Sequence, residues 1–186
     1  MDEARLQEMW DHHEIRQLLA TYCHGCDRGD EVEMASVYCE DSWDDHGPRK
    51  MDGHRFSFET IEESIRTTRV VSHQLGQSLI KVDGDRAGAE TYFIASLIYP
   101  LRPGEAVESL NQLGGRYVDT FERIDGKWLV KKRICVREWS ISHPINHDFL
   151  ARAGFVETAR GAADVSYEAL RQTPAGKLLG QLAARA

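Results

Sequence analysis

The repeat of the chain changes at about Arg69. Before it, apolar side chains recur every three or four positions; after it, they alternate. A helix shows one face every 3.6 residues and a strand every second residue, so one regular structure cannot serve both halves. In the first half, Ile15, Leu18, Leu19, Tyr22 and Cys26 form one helical stripe within residues 3 to 27, and Gly25 and Gly29 mark its end. The pattern predicts a short second helix from Glu31 to Tyr38, a short strand and turn in "SWDDHGP", and a third helix over 58 to 68 carrying Ile61 and Ile65. In the second half, "VVSHQLGQSLIKV" and "AGAETYFIASLIYP" flank a turn at 83 to 85. A polar, Gly-bearing connection is expected from 101 to 115. "RYVDTFERI" and "KWLVKKRICVREWSI" then flank Asp125-Gly126, a strong hairpin signal. Helices followed by an antiparallel meander give an α+β fold, with the N-terminal helices packed on one face of a strongly curved sheet.

The length of 186 residues suits one compact domain. Residues 143–186 are Ala-rich, with short helical stretches broken by Gly and Pro, and form an extension beyond a 1–142 domain. A lid, an oligomer arm and a partly disordered tail all fit it. The net charge of −7 argues against nucleic acid or an anionic membrane as the partner. No apolar run nears the roughly 20 residues of a membrane span. The charged start, "MDEARLQEMWDHHEIRQ", has no apolar core of a signal peptide, so a cytoplasmic protein is expected.

Cys23 and Cys26 lie three apart near the end of the first helix, with no second C-x-x-C. A thiol at a helix C-terminus gains nothing from the dipole, so two small apolar residues lining the core is the favoured reading, and no metal is expected. Asp27 flanks the apolar stripe, and an acid at a helix C-terminus opposes the macrodipole unless something compensates it. His73 opens a strand. Arg133 lies in the last strand, where plain alternation turns it away from Val130, Ile134 and Val136, unless a bulge intervenes. In "SWDDHG" only Asp44 and His46 share a side of a strand, too few ligands for a metal. The signatures of serine hydrolases, zincins and nucleotide-binding loops are missing.

Three segments together resemble the SnoaL-like branch of the NTF2-like superfamily: "EIRQLLATYCHGCDRGD", "SHQLGQSLIKVDGDRAGAETYF" and "GGRYVDTFERIDGKWLVKKRICVREWS". The resemblance covers roughly residues 10 to 142. It implies a cone-shaped α+β barrel with a deep pocket. Its bile-acid 7α-dehydratase and hexachlorocyclohexane dehydrochlorinase members use an Asp-His dyad and an arginine on the last strand; the dehydratase adds a tyrosine five residues before its Asp. Those roles fall here on Asp27, His73, Arg133 and Tyr22. A further acid of the dehydratase is replaced near Ser96. What the resemblance implies is a cofactor-independent lyase performing β-elimination on a hydrophobic cyclic, aromatic or steroid-like substrate, formaldehyde loss from lignin-derived dimers included. A dioxygenase β-subunit-like protein and a cyclase, isomerase or ligand-binding protein are the alternatives. Trp43, Phe56, Tyr92 and Trp139 are candidate pocket aromatics. A homo-oligomer, dimer or trimer, is expected because an open curved sheet leaves an outer face to cover.

Overall fold

The computed structural model describes residues 2–101, 104, 107–145 and 152–184. Helix α1 (Glu3–Arg28) starts where the Asp2 side chain accepts the Arg5 N–H at 2.9 Å. It stops at Gly29, whose φ of 72° lets Gly29 N–H and Asp30 N–H turn back onto the carbonyls of Cys26 and Gly25. Asp30 then caps α2 (Glu31–Ala35), accepting the Glu33 N–H at 2.9 Å. This helix is shorter than the sequence suggests, because Tyr38 already belongs to a strand. Helix α3 (Gly53–Thr67) begins five residues before position 58, capped by Asp52. Its first residue must be small: a Cβ on Gly53 would lie 2.3 Å from the Tyr38 ring.

Six strands follow or intervene: β1 (Tyr38–His46), β2 (Arg49–Met51), β3 (Val70–Asp83), β4 (Arg86–Tyr99), β5 (Glu108–Ile124) and β6 (Lys127–Ile145). Their order is β2-β1-β6-β5-β4-β3. All pairs are antiparallel except β1 with β6, which run parallel. The sheet bends around α1 and α3 without closing, so β2 and β3 are its two edges.

Strand β5 starts eight residues before Arg116, inside the stretch expected to be a connection. Its two neighbours supply ladder partners along its length, which overrides the low strand propensity of glycine. Gly114 and Gly115 serve close approach rather than a turn. A Cβ on Gly114 would meet the Trp139 ring at 2.2 Å, and one on Gly115 the Val136 carbonyl oxygen at 2.0 Å. The β5–β6 register shifts there, skipping Glu138, and a strand bends at such a bulge.

The α1 stripe of Ile15, Leu19, Tyr22, Cys23 and Cys26 is buried against the sheet, together with Phe93, Tyr117, Phe121 and Val130. Asp11 pins the other end of the helix, accepting from Trp128 Nε1 at 3.1 Å and Arg123 Nη2 at 2.9 Å. Beyond β6, a single 3-10 turn (Gly161–Ala163) and helices α4 (Val165–Leu170) and α5 (Leu178–Ala183) run back over the α1–α2 junction. Arg28 bonds Asp164 at 2.8 Å, Ala175 N–H donates to Asp30 at 2.7 Å, and Leu178 N–H to Glu31 at 3.0 Å. Among the described residues no helix is long and apolar enough to cross a membrane.

Candidate active site

The Gly29 stop leaves Asp27 on the last turn of α1, facing β3. Its Oδ1 accepts from His73 Nδ1 at 2.6 Å and its Oδ2 from His73 N–H at 2.8 Å. These two donors compensate a carboxylate that the helix dipole opposes. They also fix the imidazole at ring and backbone together. With Nδ1–H given to the carboxylate, Nε2 is the nitrogen left for chemistry.

His73 lines a cavity of about 360 Å³. Tyr22, Cys26, His46, Phe56 and Tyr117 also line it. Among the described residues, one group of three metal-ligating side chains converges: Cys26, Asp27 and His73, with ligand atoms within 4.8 Å of one another. Nδ1 of His73 is committed to Asp27. Burial, with the charges of Asp27 and Cys23 behind it, holds the Cys26 thiol well above its usual range, and burial pushes Cys23 up to about 12. Both cysteines are buried in the core cluster.

Tyr22 lines the same cavity. Burial keeps it protonated, well above the usual tyrosine range, although the Arg133 charge pulls the other way. Arg133 is fully buried and paired twice with Asp119, at 2.8 Å each. Its guanidinium is sandwiched between the rings of Tyr22 and Tyr117, 4.1 and 4.2 Å from their centroids. The bulge that alternation required is present. The β5–β6 register skips Lys131, so Val130 and Arg133 both face inward. Arg133 therefore reaches the site from behind the tyrosine rings and does not line the cavity.

A second acid–histidine pair stands on the other wall. Asp44, fully buried on β1, accepts the Tyr38 hydroxyl at 2.5 Å and the Nδ1–H of His46. The His46 ring stacks on Phe56, centroids 4.3 Å apart, and lines the cavity. Burial pulls its pKa down, but the hydrogen bond it donates to Asp44, the neighbouring Cys135 and the Asp44 charge lift it to about 9. Spacing alone puts these two residues on a shared side of a strand; which side faces inward was the missing signal.

Tyr117, stacked on Phe93 at 4.2 Å, is a further lining residue that the sequence did not single out. Of the candidate aromatics only Phe56 lines the cavity; Trp43, Tyr92 and Trp139 are exposed elsewhere. Ser96 accepts from Gln112 at 3.0 Å, while its neighbours Ala95 and Leu97 line the pocket.

Comparisons with known proteins agree with this architecture. The model of the SnoaL-like domain matches residues 7–134. A protein named as a scytalone dehydratase from Novosphingobium aromaticivorans superposes with a TM-score of 0.64 at 23% identity, over 78% of this chain and 94% of its own. A hexachlorocyclohexane dehydrochlorinase superposes with a TM-score of 0.64 at 16% identity, over 77% of this chain and 94% of its own. A protein named as the β subunit of an aromatic-ring-hydroxylating dioxygenase from Novosphingobium aromaticivorans gives 0.56 at 19% identity, over 71% and 92%. At such identities these likenesses speak for the fold alone. No curated protein matches in sequence.

Proposed function

Because the chain belongs to the SnoaL-like domain family, we propose that it is a cofactor-independent lyase. The reaction is β-elimination from a small hydrophobic cyclic or aromatic substrate activated by a carbonyl or an aromatic ring. The observation that carries this reading is the Asp27–His73 pair, tied at 2.6 Å, with its histidine facing a 360 Å³ cavity of suitable size for a small molecule.

His73 Nε2 takes a proton from the carbon beside the activating group. Asp27 holds the tautomer and stabilises the imidazolium that results. Tyr22 donates its hydroxyl proton in a hydrogen bond to the oxygen on which negative charge develops. Arg133, behind the ring, does not touch substrate. It is a positioning residue whose charge makes Tyr22 a better donor. Structures of the same fold named as a dehydratase and a dehydrochlorinase are compatible with this reaction class. The exposed outward-facing Tyr92, Trp139 and Ile141 support a homo-oligomer that covers the back of the sheet.

The test is elimination by the purified protein and its His73→Ala variant, with circular dichroism showing that the variant is folded. A loss of about 10²-fold or more supports the reading. Full activity in the variant would sink it and favour a β-subunit-like or ligand-binding role.

A further inference from the structure

We propose that His46 is the general acid of the site, protonating a departing oxygen while His73 acts as base, so that the substrate leaves water or an alcohol rather than a halide. The inference rests on the lyase reading and adds a catalytic residue and a leaving-group class to it.

The argument starts from placement. β1, next to the β2 edge, and β3, the other edge, are separated by three strands in the sheet order, and the bend brings His46 and His73 to one cavity. Each ring is held at Nδ1 by a carboxylate and lines the cavity, with Cys135 beside His46. Elimination needs two proton transfers when the leaving group is an oxygen: one off carbon and one onto oxygen. A halide needs only the first. Two imidazoles held alike in one cavity match the first kind of substrate and are redundant for the second.

The environments of the two rings then divide the roles. Asp44 is fully buried and has two donors, Tyr38 and His46, and only the histidine is a potential cation. The other titratable groups in the cavity near His46 are Arg49 on β2, Glu63 on α3, Tyr117 on β5, and Cys135 and Arg137 on β6. Arg49 and Glu63 pair with each other, and Arg137 is exposed. Burial works against the imidazolium, yet Asp44 and Cys135 hold its pKa at about 9, so the ring carries its proton at neutral pH. An acid needs that state.

The step balances. His73 takes the proton and the C–H electron pair becomes the second bond of C=C. The C–O bond breaks, and its pair stays on oxygen, which takes the His46 proton and departs neutral. His73 then loses its proton to solvent and His46 regains one.

The experiment has two arms. Nitrogen-15 NMR of the histidine rings reads the state of His46 in the intact protein. A doubly protonated ring at neutral pH is expected, and a neutral ring overturns the proposal. Kinetics then compare two probes that give the same enone: β-hydroxydihydrochalcone, and its β-(para-nitrophenoxy) analogue, whose leaving group needs no proton. His46→Gln is expected to lose about 10²-fold on the hydroxy probe and at least tenfold less on the nitrophenoxy probe, whereas His73→Ala loses on both. Equal losses in His46→Gln overturn the proposal and leave the lyase reading standing. A wild-type protein inert to both probes sinks the lyase reading and this proposal together.

Discussion

The two walls of the cavity use the same chemical pair and build it in opposite ways. Asp27 and His73 are 46 residues apart, one at the end of a helix and one on an edge strand. Their bond exists only if α1 stops at Gly29 and docks on β3. Asp44 and His46 are two residues apart on one strand, and their bond needs little more than β1 itself. The long-range pair is a product of tertiary structure and is the more easily misplaced. The local pair is nearly preformed, and tertiary structure contributes its burial. Geometry is what the fold must supply on the first wall, and proton affinity on the second.

The change that should erase the difference between the walls is at Arg133, which lies beneath both. It is the β-ladder partner of Asp44 and stacks on Tyr22. Arg133→Met leaves Asp119 buried without its partner, an expected cost of about 3–5 kcal/mol and a fall in Tm on the order of 10 °C. Thermal unfolding measures it; a variant as stable as wild type would show that the pair is not holding the site together. Next in size, the carboxylates should part. Asp27→Asn is expected to lose about 10²-fold with both chalcone probes, because the base loses its tautomer. Asp44→Asn should lose about tenfold, on the hydroxy probe alone, and move the alkaline limb of its pH profile down from about 9. Identical profiles for the two variants would mean that the walls are not specialised.

How much of this is legible in the sequence differs between the walls for the same reason. The α1 stripe and the Asp125-Gly126 hairpin are periodic and local, so the fold class could be read directly. Asp27 and His73 have no local relation; only the resemblance to a family joined them. Asp44 and His46 share a side of a strand by spacing, but spacing does not say that the side is buried. Arg133 faces inward because Lys131 is skipped in the register, its ammonium bonded to Asp41 of β1. No one-dimensional pattern carries that. The pair Gly114-Gly115 misled in the other direction, since glycines needed for close packing against Trp139 and Val136 look the same as glycines in a loop.

Smaller effects test what holds each wall. The folded pKa of His46, about 9, lies above the 6.5 of an unperturbed imidazole, so the fold gains stability from the proton. That gain is complete below about 6.5 and is lost as pH rises through about 9, a difference of about 3 kcal/mol at 1.36 kcal/mol per pKa unit. Chemical denaturation across this range should show the decline, and Asp44→Asn should flatten it. A wild-type protein with no decline would place the proton affinity of His46 elsewhere. The smallest effect belongs to the other wall. Arg28, one residue after Asp27, holds the returning chain through Thr158, the Ala159 carbonyl and Asp164. Arg28→Ala should cost about 1 kcal/mol and loosen residues 152–184 together with the end of α1. In hydrogen exchange the amide of His73, which donates to Asp27, should then exchange faster while the β1 amides around Asp44 do not change. If both walls loosen alike, the local pair depends on the same tertiary contacts as the distant one, and the contrast between them fails.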